Sequence, residues 1–212
     1  MTDRRLVLFD FDGTLTDRDT MLAFARHVRG PYRFWAGMVW LLPLFVGLRL
    51  GLVPRTDAKR FFLRHFLGGL HRDALTAEAR TFADRVEGYL WPEGRTQLAR
   101  HRERGDEVAV VSASLDLWLA PFMEARGLRC LCTQADYDED GIFHGDLASP
   151  NCRGPEKVAR VREAFDLDDF DTVVAYGDSS GDTELLALAD ESVYRPFRSG
   201  ARHDPAKGLR TA

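Results

Sequence analysis

The chain has 212 residues, of which 45% are hydrophobic and 29% are charged, and it carries a formal net charge of -4. These values are typical of one globular domain of ordinary size with a modest insertion, and they exclude an intrinsically disordered chain. The charge gives no electrostatic reason to expect a nucleic-acid partner, and three cysteines are too few for a disulfide framework. The N-terminal residues contain no apolar signal segment, so we expect a cytoplasmic protein.

The first predicted strand is the apolar run Leu6–Phe9, which suits a strand buried on both faces of a parallel sheet. Asp10 and Asp12 follow it at once, and residues two apart in an extended segment can face the same pocket. Two adjacent carboxylates favour a bound cation, and their oxygens favour Mg²⁺. One carboxylate could attack phosphorus while the other moves the leaving-group proton. Gly13 could then offer its backbone N–H to a phosphate oxygen.

After this segment the strand pattern gives way to four helix-like stretches that are amphipathic or apolar. We therefore predict a helical cap over residues 17–92, inserted into a sheet domain that is formed by residues 1–16 and 93–212. The expected N-cap residues of three of these helices are Asp19, Thr56 and Asp73.

One stretch of the predicted cap, segment 34–53, is unusually apolar, since residues 34–48 contain no charged side chain. A bilayer span needs about 20 apolar residues, and Pro43 and Arg49 count against one here. Three interpretations stay open for this segment: the core of the cap, a contact with a membrane surface or a lipid tail, and a true span. The second interpretation would suit a phosphate monoester that carries a large apolar group.

The second predicted strand, Val108–Val111, ends at three small residues, Ser112, Ala113 and Ser114. The Ser112 hydroxyl and the backbone N–H groups of this turn could bind phosphate oxygens. A serine at this place is also a common helix N-cap, and Ser114 could fill that role while Ser112 binds. Farther along the chain, an aspartate-glycine pair at residues 140–141 between apolar and aromatic residues predicts a β-hairpin.

The third predicted strand, Thr172–Tyr176, is followed by Asp178, which could complete the coordination of a metal. Asp182 either places favourable negative charge at a helix N-terminus or supports the site by binding a lysine or a metal-bound water. Lys157 precedes this strand and is one of several basic residues in the region. Taken alone, it would be interpreted as a lysine on a solvent-exposed helix face. Because parallel strands end at one edge of a sheet, the polar clusters should converge on one site.

In this order, the segments DFDGTLT, VVSAS, Lys157 and YGDSSGD resemble the four motifs of the haloacid dehalogenase (HAD) superfamily of phosphohydrolases. The predicted cap resembles the C1 cap of subfamily IB, which contains phosphoserine phosphatase. The resemblance implies an α/β fold, with a Rossmann-like parallel sheet core and an inserted helical-bundle cap. It also implies Asp10 as the nucleophile, Asp12 as the acid/base, and Mg²⁺ bound by Asp10, the Asp12 carbonyl and Asp178. The implied phosphate-binding residues are Gly13, Ser112, Ala113 and Lys157, with Asp182 in support.

Substrate recognition is less well defined by these motifs. Asp19 lies where phosphoserine phosphatases have an acidic substrate-binding residue, and Arg60 is a second candidate in the cap. In those enzymes two glycines follow the motif-two serine, whereas this chain has Ala113 and Ser114 there. Those enzymes also have an asparagine before the last aspartate of motif four, where this chain has Gly181. These departures argue against phosphoserine as the substrate.

We therefore predict a Mg²⁺-dependent phosphatase that forms an aspartyl-phosphate on Asp10 and acts on a small-molecule or lipid phosphate monoester. Dehalogenases of the superfamily lack the second aspartate, so Asp12 favours phosphoryl chemistry. The alternatives are a phosphoserine phosphatase-like enzyme for small metabolites, a phosphotransferase, and a non-catalytic module that binds a membrane or a phospho-ligand. Peripheral contact with the inner face of a membrane through segment 34–53 stays open, and the sequence does not predict the oligomeric state.

Overall fold

The computed structural model describes residues 3–197, so the remaining residues of the predicted core, 1–2 and 198–212, lie outside the description. Its strands are β1 (Arg5–Phe9), β2 (Leu70–His71), β3 (Glu107–Leu115), β4 (Arg129–Thr133), β5 (Ala135–Tyr137), β6 (Ile142–Leu147), β7 (Thr172–Gly177) and β8 (Glu191–Tyr194). Its helices are α1 (Thr20–Trp40), α2 (Leu42–Arg49), α3 (Arg55–Leu67), α4 (Arg72–Val86), α5 (Pro92–Glu103), α6 (Asp116–Glu124), α7 (Pro155–Ala164) and α8 (Thr183–Leu188).

The central sheet has five strands in the order β4-β3-β1-β7-β8, and every neighbouring pair is parallel. The three strands predicted from apolar runs fall within β1, β3 and β7. Helices follow these strands, as expected when parallel neighbours are joined by crossover connections. The predicted α/β fold with a parallel sheet is therefore confirmed.

Alternation along β1 explains why both faces of the sheet are covered. Leu6 and Leu8 belong to one apolar cluster with residues of α7 and α8, while Val7 and Phe9 belong to a second cluster on the opposite face. The second cluster continues into the helices between β1 and α5 through buried aromatic side chains. Each fully buried phenylalanine contributes roughly 1.5–3 kcal/mol to the free energy of unfolding. These aromatic residues are Phe24, Phe62, Phe66 and Phe82.

Helices α1–α4, which we call the inserted helices, lie between β1 and α5 where the sequence predicts a cap. Asp19 is the N-cap of α1, and its side chain accepts from the Leu22 N–H. The other two predicted N-caps are wrong, because Thr56 and Asp73 lie inside the first turns of α3 and α4. The N-cap of α3 is Pro54. The N-cap of α4 is His71, whose ring accepts a hydrogen bond from the Asp73 N–H. The exact division into cap and core stays a prediction.

Segment 34–53 is only in part the core of the inserted helices, since Phe34 and Leu41 belong to the main apolar cluster. Phe34, Gly37 and Leu41 are its buried residues, and the rest of the segment is half-buried or exposed. Helix α1 is kinked at Gly30, where φ is 74°, so its second half turns onto α3. Among residues 3–197, no helix combines the length and the apolar character that crossing a bilayer requires.

A second, antiparallel sheet has the order β2-β6-β5. Strands β5 and β6 form the hairpin predicted around residues 140–141. Strand β2 is a two-residue strand between α3 and α4, and it pairs with β6. This pairing ties the inserted helices to the sheet domain beside the carboxyl edge of the central sheet. Two residues are too few for a periodic pattern, so the sequence did not predict β2.

Candidate active site

The three predicted polar clusters lie together because β1 sits between β3 and β7. Phe9, the last residue of β1, is aligned with Val110 of β3 and Tyr176 of β7. Asp10 follows directly, and its backbone N–H donates to the Tyr176 carbonyl at 2.9 Å. The carboxyl edge of the sheet therefore places Asp10 among side chains that are distant in sequence.

Asp10 is buried, with 6% of its surface exposed, and both of its carboxylate oxygens are held. Lys157 Nζ donates to Oδ1 at 2.6 Å, and Thr14 Oγ1 donates to Oδ2 at 2.9 Å. Burial raises the pKa of Asp10 to about 6, while the charge of Lys157 opposes this shift. The carboxylate is fixed in one orientation and is mostly ionised at neutral pH.

Lys157 lies in the first turn of α7, and its ammonium group is buried at the centre of the site. Nζ donates to Asp10 Oδ1 at 2.6 Å, to Asp182 Oδ1 at 2.7 Å and to the Val111 carbonyl at 2.7 Å. Burial disfavours the charged ammonium, but the two carboxylates outweigh it and raise the pKa of Lys157. Lys157 is therefore a fixed cation, not a residue of a solvated helix face.

The carboxylates of Asp10, Asp178 and Asp182 form a cluster in which one oxygen of each lies within 4.8 Å of the others. All three residues are buried, and hard oxygen donors at this spacing fit a divalent cation such as Mg²⁺. Gly13 has a φ of 84°, and a Cβ at this position would lie 2.8 Å from Asp178 Oδ2. A side chain there would therefore push against the cluster.

Within this cluster, Asp182 is already saturated by the protein. Its Oδ1 accepts from Lys157, and its Oδ2 accepts from the backbone N–H and the hydroxyl of Ser179, each at 2.9 Å. Burial raises the pKa of Asp182, but the charge of Lys157 and these hydrogen bonds lower it overall. Asp10 and Asp178 are thus the better candidates for direct metal ligands, while Asp182 orients Lys157 and the loop after β7.

The Asp12 carboxylate is not part of this cluster and has other partners. Its Oδ2 accepts from the Ser114 hydroxyl, and its Oδ1 accepts from the Thr20 N–H at 2.8 Å. Burial raises the pKa of Asp12 to about 7, and the nearby charge of Asp19 adds to the shift. A contribution of Asp12 to a metal would therefore come from its backbone carbonyl, while its side chain is suited to exchanging a proton near neutral pH.

The segment after the second predicted strand differs from the expectation. Strand β3 continues to Leu115, so Ser114 is not the N-cap of α6, and Leu115 occupies that position. Ser112 is buried, and its hydroxyl accepts from the Ser114 N–H at 3.0 Å. The Ala113 carbonyl accepts from Thr133 Oγ1 at 2.9 Å, which fixes this segment beside Asp10.

A pocket of about 160 Å³ opens at this edge and brings together most of the predicted site residues. Gly13 and Asp178 border the carboxylate cluster but do not line the pocket itself. The lining is mostly charged or polar, and its apolar side chains are Met21 and Ala113. The residues that line it are Asp10, Asp12, Asp19, Met21, Lys59, Ser112, Ala113, Ser114, Asn151, Arg153, Lys157, Ser179, Gly181 and Asp182.

The inserted helices contribute Lys59 to this pocket, and not Arg60 as predicted. Arg60 is half-exposed and lies 3.8 Å from Asp57 on the same helix. Lys59 is buried, and its Nζ donates to the Ala113 carbonyl at 2.5 Å and to Asn151 Oδ1 at 2.8 Å. Burial lowers the pKa of Lys59 to about 8, and the charge of Asp12 partly offsets this shift.

The sequence interpretation missed several residues of the site. Thr14 lies within the first motif, and its place four residues after Asp10 could have suggested a contact. Lys59, Asn151 and Arg153 carry no local signal, because their positions depend on how α3 and the loop before α7 pack against β3. Ser114 was noticed but given the wrong contact, since a serine before a helix is usually a cap.

The chain matches the family model described as haloacid dehalogenase-like hydrolase over residues 7–187. It is 40% identical to the protein CicA of Caulobacter vibrioides over 195 residues, which cover 91% of this chain and 86% of that protein. It is 24% identical to a 2-hydroxy-3-keto-5-methylthiopentenyl-1-phosphate phosphatase of Exiguobacterium sibiricum over 204 residues, or 90% and 84% of the two chains.

Two solved structures are similar over nearly the whole chain. A protein from Bordetella pertussis Tohama I has a TM-score of 0.79 and 26% identity, over 91% of this chain and 90% of that one. A phospho-aspartyl intermediate analogue of phosphoserine phosphatase has a TM-score of 0.61 and 22% identity, over 91% and 86%, and at this identity the likeness concerns the fold. With the family match extending over most of its length, the chain belongs to the haloacid dehalogenase-like hydrolases.

Proposed function

We propose that the protein is a Mg²⁺-dependent phosphatase that hydrolyses phosphate monoesters through an aspartyl-phosphate on Asp10. The observation that carries the proposal is the state of Asp10, a buried carboxylate held at one oxygen by Lys157 and at the other by Thr14. A second carboxylate, Asp12, lies two residues away and is positioned by different donors. Binding alone would need neither a fixed nucleophile nor a separate proton carrier.

In the first half-reaction, a carboxylate oxygen of Asp10 attacks phosphorus and the bond between phosphorus and the ester oxygen breaks. The leaving alkoxide takes the proton held by Asp12, so the products are the free alcohol and the aspartyl-phosphate. Lys157 orients Asp10 during the attack and offsets part of the negative charge of the phosphoryl group. Its three protein acceptors keep it in place without substrate.

In the second half-reaction, a water molecule attacks the phosphorus of the aspartyl-phosphate. Asp12, now ionised, accepts a proton from this water, and the bond between phosphorus and the Asp10 oxygen breaks. Inorganic phosphate leaves, and both aspartates return to their starting states. The raised pKa of Asp12 supports this exchange, because a group with a pKa of about 7 can both give and take a proton near neutrality.

The carboxylates of Asp10 and Asp178, with the Asp12 carbonyl, would hold Mg²⁺, which when bound would neutralise charge between the carboxylates and the phosphate. Ser112, the backbone at Gly13 and Ala113, and Lys157 are the proposed partners of the phosphate oxygens. Asp182 would act indirectly by orienting Lys157.

We further propose that the substrate is a small polar phosphate monoester. An apolar substrate group was one expectation from the sequence, but residues of segment 34–53 do not line the described pocket. The pocket lining instead includes the polar or charged side chains of Asp19, Lys59, Asn151 and Arg153. The proposed chemistry makes no use of the exposed apolar side chains in that segment.

The test is phosphate release from sugar, amino-acid, nucleotide and lipid phosphates, with EDTA-treated protein and after Mg²⁺ is restored. We expect turnover only with the metal, and faster turnover of small polar esters than of lipid phosphates. Acid-quenched protein should carry a phosphoryl group that hydroxylamine removes, as expected for an acyl phosphate. Full activity in EDTA would contradict the metal requirement. Transfer of the phosphoryl group to an alcohol with no phosphate release would instead identify a phosphotransferase.

A further inference from the structure

The inserted helices expose an unusual number of large apolar side chains. Of the ten such side chains that are exposed among residues 3–197, eight lie between Tyr32 and Leu52. We call these eight the apolar helix surface. Trp35 is 57% exposed, Val39 74%, Trp40 65% and Leu52 75%. The eight residues are Tyr32, Trp35, Val39, Trp40, Leu42, Val46, Leu50 and Leu52. An exposed apolar residue is common, but a cluster of this size in a short segment points to an interaction site.

The arrangement of the helices explains why these side chains face outward. In the second half of α1, Phe34 is buried and its ring lies 5.2 Å from the ring of Phe66 on α3. That contact fixes which side of α1 faces inward, and it leaves Trp35 and Val39 outside. Helix α2 packs Leu44 and Phe45 against the apolar cluster, and Arg49 is its one charged side chain. Its remaining large side chains, Leu42 and Val46, are at least half exposed, although a helix this apolar usually covers such residues.

The charged side chains of the segment that contains this surface have one sign. No aspartate or glutamate occurs between Asp19 and Asp57, whereas five arginines do. One of them, Arg29, donates to the Phe66 and Gly68 carbonyls. The other four are exposed, and within residues 3–197 none of them forms an ion pair of 4.0 Å or less; they are Arg26, Arg33, Arg49 and Arg55.

We propose that the apolar helix surface docks the protein onto an anionic lipid bilayer, with α2 and the second half of α1 lying in the interface. Tryptophan is favoured at the boundary between headgroups and acyl chains, and arginine is attracted to anionic headgroups. No helix within residues 3–197 can cross a bilayer, so the contact is peripheral. The proposal is independent of the phosphatase chemistry, because no residue of this surface lines the catalytic pocket.

The charge pattern also distinguishes a membrane from a second copy of the chain. In a symmetric dimer the same surface would meet itself, so the exposed arginines of this segment would approach those of the second copy, and the segment itself supplies no acidic partner. Like charges at such an interface are unfavourable, whereas an anionic membrane supplies the missing negative charge.

The experiment is co-sedimentation of the full chain with vesicles of phosphatidylcholine alone and of a two-to-one mixture of phosphatidylcholine and phosphatidylglycerol. We expect binding to the anionic vesicles that weakens as salt is added, and much weaker binding to the neutral ones. The double variant Val46→Glu/Leu50→Glu should reduce binding by at least about tenfold, because it places charges where apolar side chains contact lipid. Tyr194→Glu, at an exposed apolar residue of β8, is the matched control and should bind normally.

The contribution of charge is tested by Arg33→Glu/Arg49→Glu, which should weaken binding to anionic vesicles by more than the roughly fivefold expected for each lost arginine. Arg85→Glu/Arg102→Glu, on exposed positions of α4 and α5, is its control and should change binding little. These variants also keep the test decisive if Val46→Glu/Leu50→Glu fails to fold. Hydrolysis of a soluble phosphate ester should stay unchanged in every variant.

Two results would overturn the proposal. The first is an absence of binding of the unmodified chain to anionic vesicles at low salt. The second is a dimer in solution, measured by sedimentation equilibrium, that Val46→Glu/Leu50→Glu dissociates while vesicles bind none of the proteins. That outcome would show that a second copy, and not a membrane, covers the apolar helix surface.

Discussion

The catalytic edge of the sheet and the apolar helix surface depart from the usual distribution of side chains in opposite ways. At the sheet edge, the charged groups of Asp10, Lys157 and Asp182 are buried. On the helices, large apolar side chains such as Val39 are exposed. Both arrangements are costly in water unless something compensates for them.

The compensation differs between the two regions. Lys157 has three acceptors within the protein, two of them carboxylates, so the chain itself satisfies most of the buried charge. Helix α2 has no fully buried residue, and although Leu44 and Phe45 pack against the apolar cluster, Leu42 and Val46 stay exposed within the described part of the chain. A site that the chain completes can be understood from its own contacts, whereas the exposed surface must be understood through a partner. Four predictions would break or sharpen this comparison.

The largest expected effect is that of Asp10→Asn. The amide keeps the shape of the side chain but cannot form the aspartyl-phosphate, so phosphate release should fall by at least roughly 10³-fold. Asp136→Asn changes an exposed aspartate away from the pocket and should retain normal turnover. If Asp10→Asn kept turnover within an order of magnitude of the unmodified enzyme, the covalent mechanism would be wrong.

Asp12→Asn should come next, with a loss of about 10²–10⁴-fold for an alkyl phosphate, because its leaving group needs a proton. The rate of the first step, in which the aspartyl-phosphate forms, should fall much less for an aryl phosphate such as p-nitrophenyl phosphate, because its leaving group is stable as an anion. Burst kinetics with both esters would measure this difference. Equal losses of the burst-phase rate for the two substrates would argue against Asp12 as the proton donor.

Substitutions of two buried lysines, Lys59 and Lys157, should differ in their effects on the free energy of unfolding. Lys157→Met leaves Asp10 and Asp182 buried without their cation, which should cost about 3–5 kcal/mol of unfolding free energy in EDTA. Lys59→Met removes hydrogen bonds to two neutral acceptors and should cost about 1–3 kcal/mol. Urea denaturation of both variants measures the difference. The reverse order would show that the buried charge at the sheet edge is not balanced as we describe.

The smallest effect is expected on the apolar helix surface. Val46→Gln replaces a half-exposed side chain, so the free energy of unfolding should change by less than about 0.5 kcal/mol. Phe66→Ala, on the buried side of the same helices, should cost about 3–5 kcal/mol. Thermal or urea denaturation checks both values. A large loss for Val46→Gln would mean that the residue is covered within the molecule itself.

Much of the fold and part of the site could be predicted from local patterns. The strands containing Leu6–Phe9 and Val108–Val111 were recognisable because strands buried on both faces are apolar throughout. Helix boundaries were less predictable, since Thr56 and Asp73 have the chemistry of N-caps but lie inside their helices. Cap residues act through local geometry that neighbouring packing can displace by one or two positions.

The contrast between Lys59 and Arg60 shows where local patterns stop being informative. The two residues are adjacent and both basic, yet one is buried in the pocket while the other lies beside Asp57. Consecutive residues of a helix point about 100° apart, so the rotation of α3 against the sheet domain decides between them. That rotation depends on contacts with β6 and α1, which no short segment encodes.

The sequence by itself determined the sheet strands, the family and which aspartates are candidates for catalysis, because each strand and each motif is recognisable from residues close together along the chain. The tertiary structure alone decided that Lys157 joins Asp10 to Asp182, that Ser114 holds Asp12, and that Lys59 enters the pocket. It also decided that only part of segment 34–53 is core and that much of it is exposed. An apolar side chain has the same chemistry in a core and on a surface, and packing determines which of the two it occupies.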